Sequence, residues 1–212
     1  MYSRSDRSPI SEWWWTIDRW FLAAFFGLIA FGAVLSFAAS PNGAERIGLE
    51  SFHFVQRHAI FLVPTIAVMI AVSFLDERQT RRLALITLAG SIGLMVIALF
   101  FGIEVKGSRR WVHFAGFQLQ PSEFMKPAFV IICAWMFAER QRRPDIPGNL
   151  FAGILFVAIA GLLMAQPDLG QTILLAGTWG AMFFMAGMPW LWIAVLGGIG
   201  AMGLFGAYFA LP

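Results

Sequence analysis

Lys106, Arg109 and Arg110 fall within five positions beside Trp111, between two long apolar runs. Further along, Gln120-Pro121-Ser122-Glu123 opens the next apolar run, and Lys126-Pro127 follows inside it. Residues three apart share a helix face, so Glu123 and Lys126 can pair, with Ser122 placed to cap the helix and Pro127 to disturb its ladder. Ionisable groups are costly in lipid, which points to a bundle interior or a water-filled cavity. A lipid pyrophosphate suits such a cavity: Arg109, Arg110 and Lys126 would supply donors at headgroup depth, and an apolar groove would take the prenyl tail. A simpler reading also stands, in which the arginines are solvated and Glu123 and Lys126 neutralise each other.

The second segment is Gln166-Pro167-Asp168-Leu169-Gly170-Gln171-Thr172. Pro167 and Gly170 prevent one helix from running through it. Asp168 is placed as N-cap of the following helix, accepting from the backbone N–H of Gln171 where the helix dipole favours an anion. A carboxylate at a cavity mouth opposite Lys126 would equally orient a cation, a metal or a sugar hydroxyl, and the two roles are compatible.

Other residues carry less. His53, His58 and His113 lack close zinc-ligand spacing. Cys133 is the single cysteine and sits in an apolar run, which excludes an internal disulfide. The net charge of +3 is small and its basic residues are scattered, so nucleic acid is not an expected partner. No cofactor is expected, and the residues leave open whether a divalent metal assists.

These residues must be positioned by helices in a membrane. Of 212 residues, 59% are hydrophobic and 13% charged, too little polar surface for a water-soluble globule. Backbone in lipid must satisfy its own hydrogen bonds, and the apolar stretches lack the alternation of a barrel. Seven helical runs are expected at 20–40, 59–75, 83–103, 122–138, 150–165, 171–187 and 190–211, making an all-α polytopic bundle. Residues 1–19 are expected as a cytoplasmic segment and 20–212 as the transmembrane domain.

Nine of the fifteen Lys and Arg residues fall on one side of these runs and five on the other, with Lys126 inside a span. The positive-inside rule then places the amino terminus in the cytoplasm and 41–58, 104–121 and 166–170 outside. Trp13, Trp14, Trp15 and Trp20, with Arg19 beside them, form an interfacial anchor. The first run is longer than a signal-peptide core, so it is expected to be retained.

Taken together, Lys106-Gly107-Ser108-Arg109-Arg110-Trp111, the Gln120-Pro121-Ser122-Glu123 and Lys126 group, and Gln166-Pro167-Asp168-Leu169-Gly170 resemble the SEDS family (shape, elongation, division and sporulation). Ala39-Ser40-Pro41 and Phe52-His53-Phe54-Val55-Gln56-Arg57-His58 look most like its division branch. Two positions depart from the pattern: Gln118 stands where some members are basic, and Gln171 precedes Thr172 where many have Thr directly after the glycine.

The resemblance implies a peptidoglycan glycosyltransferase that polymerises lipid II at the septum of the bacterial cytoplasmic membrane, beside a class B penicillin-binding protein and other division proteins. It implies Arg109, Arg110 and Lys126 on the pyrophosphate, with Asp168 and Glu123 shaping and balancing the cavity. It also implies about ten spans, with the catalytic base on a later outside loop. The chain alone is therefore expected to bind substrate but not to polymerise it. A lipid II transporter and a division scaffold are the alternative functions.

Overall fold

The computed structural model describes residues 8–45, 48, 52–105, 107–114, 117–187 and the positions 191, 195, 197 and 198. Two compact units divide the chain, Met1–Glu77 and Arg78–Pro212.

The first unit holds α1 (Pro9–Thr16), α2 (Arg19–Glu45) and α3 (His53–Ser73). Ser8 caps α1 by accepting from the Ser11 N–H, with Pro9 at the first turn where its missing donor costs nothing. Asp18 Oδ1 accepts from the backbone of Trp20 (2.9 Å) and Phe21 (3.1 Å), satisfying two orphan donors of α2. Helices α2 and α3 pack on each other, and Ser36 Oγ lies 3.3 Å from His58 Nδ1. Phe31, Val63 and Val68 remain exposed, an arrangement that hydrocarbon tolerates and water does not. The tryptophan segment is itself helical. Trp13 stacks on Phe74 with ring centroids 5.1 Å apart and donates Nε1–H to Ser73 Oγ at 2.8 Å, so α1 is fastened to the end of α3. The Arg19 guanidinium sits 5.2 Å from the Trp14 ring and 5.0 Å from Trp15.

From Glu77 onward come α4 (Glu77–Phe101), a sheet of β1 (Ile103–Val105), β2 (Ser108–Phe114) and β3 (Phe117–Leu119), then α5 (Pro121–Arg142), α6 (Gly148–Ala165) and α7 (Leu169–Met185). Core residues recur at helical spacing: Ala84, Leu88 and Met95 on α4; Met125, Phe129, Ile132 and Phe137 on α5; Ala152, Ile159 and Leu163 on α6; Leu175, Trp179 and Phe183 on α7. Phe156 stacks on Trp179 at 4.9 Å and Trp179 on Phe183 at 4.7 Å, which fills the contact between α6 and α7 with flat rings.

Six of the seven expected runs are helices, and the seventh, 190–211, lies outside the described residues apart from isolated positions. Several helices outlast their apolar runs: α3 begins at His53 and α4 at Glu77, and α5 continues to Arg142. Hydropathy marks the edge of the hydrocarbon, whereas backbone hydrogen bonding continues into the headgroup layer. Four helices, α2, α3, α4 and α6, are long and apolar enough to cross a membrane. At 17 residues α7 is shorter, and α5 carries Glu123 and Lys126 near one end and Glu139, Arg140 and Arg142 near the other.

The segment 104–121, expected outside between two helices, is largely an antiparallel sheet that begins at Ile103, in order β1-β2-β3. Val105 pairs with Ser108, and Gly107 between them adopts φ +77°, a conformation that a side chain would strain. The register of β2 and β3 sets His113 opposite Gln118.

Helix α6 starts hard against α5: a Cβ on Gly148 would lie 2.2 Å from the Met136 carbonyl oxygen. Only glycine permits that approach. Gly148→Val is expected to cost about 1–3 kcal/mol by overpacking, read as a lowered thermal midpoint in detergent, while Gly153→Ala, where a Cβ meets open space, leaves the midpoint near that of the parent.

Candidate functional site

Side chains alternate along a strand, so Arg109 and Arg110 leave β2 on opposite faces. Ser108, on the Arg110 side, is buried and donates from Oγ to the Gln166 carbonyl at 2.6 Å. Gln166, 1% exposed, donates from Nε2 to the Met95 carbonyl of α4 at 2.9 Å. A buried polar chain thus ties α4, β2 and the turn between α6 and α7. Sequence reasoning missed the part played by Gln166, since burying an amide needs partners that come from distant elements.

On the far side of that turn, Asp168 caps α7 as expected, Oδ1 accepting from the Gln171 N–H at 3.4 Å. Its Oδ2 lies 3.2 Å from Arg110 Nη1; the carboxylate side chain is 5% exposed, the guanidinium 33%. The two are close without hydrogen-bond alignment, so the contact is chiefly Coulombic; Arg110 Nε is buried without an acceptor among the described residues. Asp168 faces Arg110, not Lys126.

Lys126 closes a different group. Its Nζ is 2.8 Å from Glu123 Oε2 and donates to Gln171 Oε1, also at 2.8 Å, while Gln171 Nε2 donates to Glu123 Oε1 at 3.1 Å. The expected pair on α5 is therefore a three-membered ring with a residue of α7. Ser122 is not the cap of α5: Gln120 occupies that position, Pro121 takes the first helical place, and buried Ser122 accepts from Gln120 Nε2 at 3.1 Å. Proline suits that place because its absent N–H would have had no partner. Pro127 removes the donor that the Glu123 carbonyl would meet one turn on.

Arg109 stands apart, exposed and 3.3 Å from Glu104 of β1. His113 Nε2 lies 3.1 Å from Gln118 Nε2 at the exposed hairpin. Lys106 lies outside the described residues. Among the described residues, no three His, Cys, Asp or Glu side chains gather as a metal-holding cluster.

The structure thus brings together Arg110 with Asp168, and Lys126 with Glu123, at the starts of α5 and α7 where helix dipoles are positive. Chemically, two cations stand beside positive helix ends with their charge balanced by carboxylates, an arrangement compatible with an anionic ligand. A double-mutant cycle on Arg110→Ala and Asp168→Ala should give a coupling of about 1–3 kcal/mol, because truncating either partner strands a desolvated charge. The same cycle on Arg109→Ala and Glu104→Ala should give less than about 1 kcal/mol in water-exposed surroundings.

Residues 19–210 match the family model FtsW/RodA/SpoVE, described as cell cycle protein. A protein of Caulobacter vibrioides described as a probable peptidoglycan glycosyltransferase FtsW is 45% identical over 209 residues, 98% of this chain and 54% of that protein. One from Escherichia coli O157:H7 with the same description is 34% identical over 189 residues, 87% of this chain and 46% of its own length. Rod shape determining protein RodA of Thermus thermophilus, a crystal structure, aligns with a TM-score of 0.70 at 25% identity, covering 90% of this chain and 60% of that one. A structure described as "Structural coordination of polymerization and crosslinking by a peptidoglycan synthase complex" aligns at a TM-score of 0.61 and 25% identity, covering 86% of this chain and 55% of that one. The chain spans about half the length of the curated relatives it matches. With multiple apolar helices and a family match over nearly its whole length, it is a multi-pass membrane protein that belongs to the FtsW/RodA/SpoVE family of cell cycle proteins.

Proposed function

We propose that this chain forms the pyrophosphate-binding part of a peptidoglycan glycosyltransferase that polymerises lipid II into glycan strands at the division septum. The observation that carries the reading is the pair of carboxylate-held cations, Arg110 and Lys126, joined through the first turn of α7 at the end of an apolar bundle. The description of the Caulobacter vibrioides relative as a probable peptidoglycan glycosyltransferase supports the reaction class.

In that reaction a hydroxyl of one lipid-linked disaccharide attacks the anomeric carbon of another. The new glycosidic bond forms as the bond to the pyrophosphate breaks, a base takes the hydroxyl proton, and the polyprenyl pyrophosphate departs with the electron pair. Arg110 and Lys126 stabilise charge as it grows on the leaving group. Arg109, on the opposite face of β2, is an outer cation that attracts the headgroup. Asp168 and Glu123 keep the two inner cations placed and balanced before substrate arrives. With its oxygens turned to Arg110 and to the α7 backbone, Asp168 is a positioning group, and the base is not assigned to it.

The protein works in the cytoplasmic membrane with residues 1–19 in the cytoplasm, the rest of the chain transmembrane and the site on the outer side, a placement supported by the uneven distribution of its Lys and Arg. Its partner is a class B penicillin-binding protein that cross-links the strands; a structural relative whose description joins polymerization with crosslinking supports this.

A form that also carries the later outside loop implied by the resemblance should convert lipid II to polymer, with Lys126→Met and Arg110→Ala each lowering the rate by at least about tenfold, as expected for lost stabilisation of a leaving anion. Polymer formed at the parent rate by both variants would contradict the reading. Lipid II crossing to the far leaflet of vesicles with no polymer would replace it with a transporter.

A further inference from the structure

The sequence marks Gln171 as the backbone donor to the Asp168 cap and as a departure from the family pattern, with no role for its side chain, yet three of its groups reach three members of the site. The backbone N–H donates to Asp168 Oδ1, side-chain Oε1 accepts from Lys126, and Nε2 donates to Glu123. An ammonium and a carboxylate allow only one orientation of the amide between them, oxygen toward the cation and nitrogen toward the anion. Few side chains can serve both at that reach: a threonine is too short, and a glutamate would set a second anion against Glu123.

The consequence falls on Lys126. An unrestrained lysine samples many rotamers, and ordering it costs entropy each time it binds. Here it is gripped from α5 and from α7, 21% exposed, with two of its three ammonium hydrogens spent on Glu123 and Gln171. Among the described residues the third has no acceptor. Because the amide is neutral, the ring of Lys126, Glu123 and Gln171 carries no net charge, and an approaching anion is not repelled.

We infer that Gln171 is a positioning residue for anion binding: it fixes Lys126 between α5 and α7, with one ammonium hydrogen left for a phosphate oxygen of the lipid pyrophosphate. Through its backbone N–H it also joins that ammonium to the Arg110–Asp168 pair, so the two cations are set by one turn of helix. This rests on the pyrophosphate reading given above.

Two variants separate the parts of the inference. Gln171→Met keeps length and volume without polar groups; Gln171→Glu keeps an acceptor but adds a carboxylate beside Lys126. The probe is undecaprenyl pyrophosphate binding to the chain in phosphatidylcholine nanodiscs, with thermal midpoints taken on the same samples. Gln171→Met should weaken binding by about tenfold, the scale of hydrogen bonds to a charged group, and Gln171→Glu should weaken it further, with midpoints close to the parent's. Parent-like binding by both variants alongside loss in Lys126→Met overturns the inference and leaves the pyrophosphate reading standing. Equal losses in both that follow a falling midpoint also overturn it, since the role would then be structural. Undiminished binding by Lys126→Met, or no binding by the parent chain, overturns the reading on which the inference rests.

Discussion

A carboxylate withdrawn from water inside an apolar bundle must meet positive charge, and Asp168 meets it from two directions. One is the Arg110 guanidinium on β2; the other is the N-terminal turn of α7, whose N–H of Gln171 it accepts. That requirement dictates much of the local architecture. A strand must bring Arg110 to the start of α7, and the turn before α7 must be held still. The Ser108–Gln166–Met95 chain does the holding, because buried Gln166 can have its side-chain amide satisfied by α4 and its carbonyl by β2 only if both stay in place. The small sheet is thus a bracket that delivers a cation to the end of a helix bundle.

Below that bracket the bundle obeys the simpler rule of lipid. Apolar stripes on α4 to α7 meet each other, and the stacked rings of Phe156, Trp179 and Phe183 fill the middle. Charge enters only at helix ends, where α5 carries Glu123 and Lys126 within its first two turns and pairs them with Gln171. Both ion pairs end up side by side because α5 and α7 begin on the same side of the bundle. Neither pair is so deeply shut in that an anion could not compete for it: Arg110 is a third exposed and Glu123 half exposed. Paired cations of this kind are stable when empty and available when a phosphate arrives.

How much of this the sequence discloses follows from the range of each force. The helices can be read because hydrocarbon leaves a continuous apolar segment no alternative, and Asp168 as a cap and Glu123 with Lys126 as a pair can be read because both are local. The sheet escapes notice: neither face of β2 is wholly apolar, since Arg109 lies on one and Arg110 on the other, and only Gly107 hints at a hairpin. Ser122 competes with Pro121 for the helix start, and the missing donor of proline decides the outcome. Gln166 and Gln171 depend on how α4, α5 and α7 align, which no spacing within a segment encodes. Adjacent in sequence, Arg109 and Arg110 separate once the strand turns one outward to Glu104 and the other inward to Asp168.

The central claim is that one ligand's phosphates bridge Arg110 and Lys126. The most direct test is a structure of the protein with a polyprenyl pyrophosphate bound in a lipid nanodisc. The account predicts phosphate oxygens within hydrogen-bonding distance, about 3 Å, of both Lys126 Nζ and the Arg110 guanidinium, with Lys126 still held by Glu123 and Gln171. Phosphates seated elsewhere, away from Lys126 and Arg110, would contradict it.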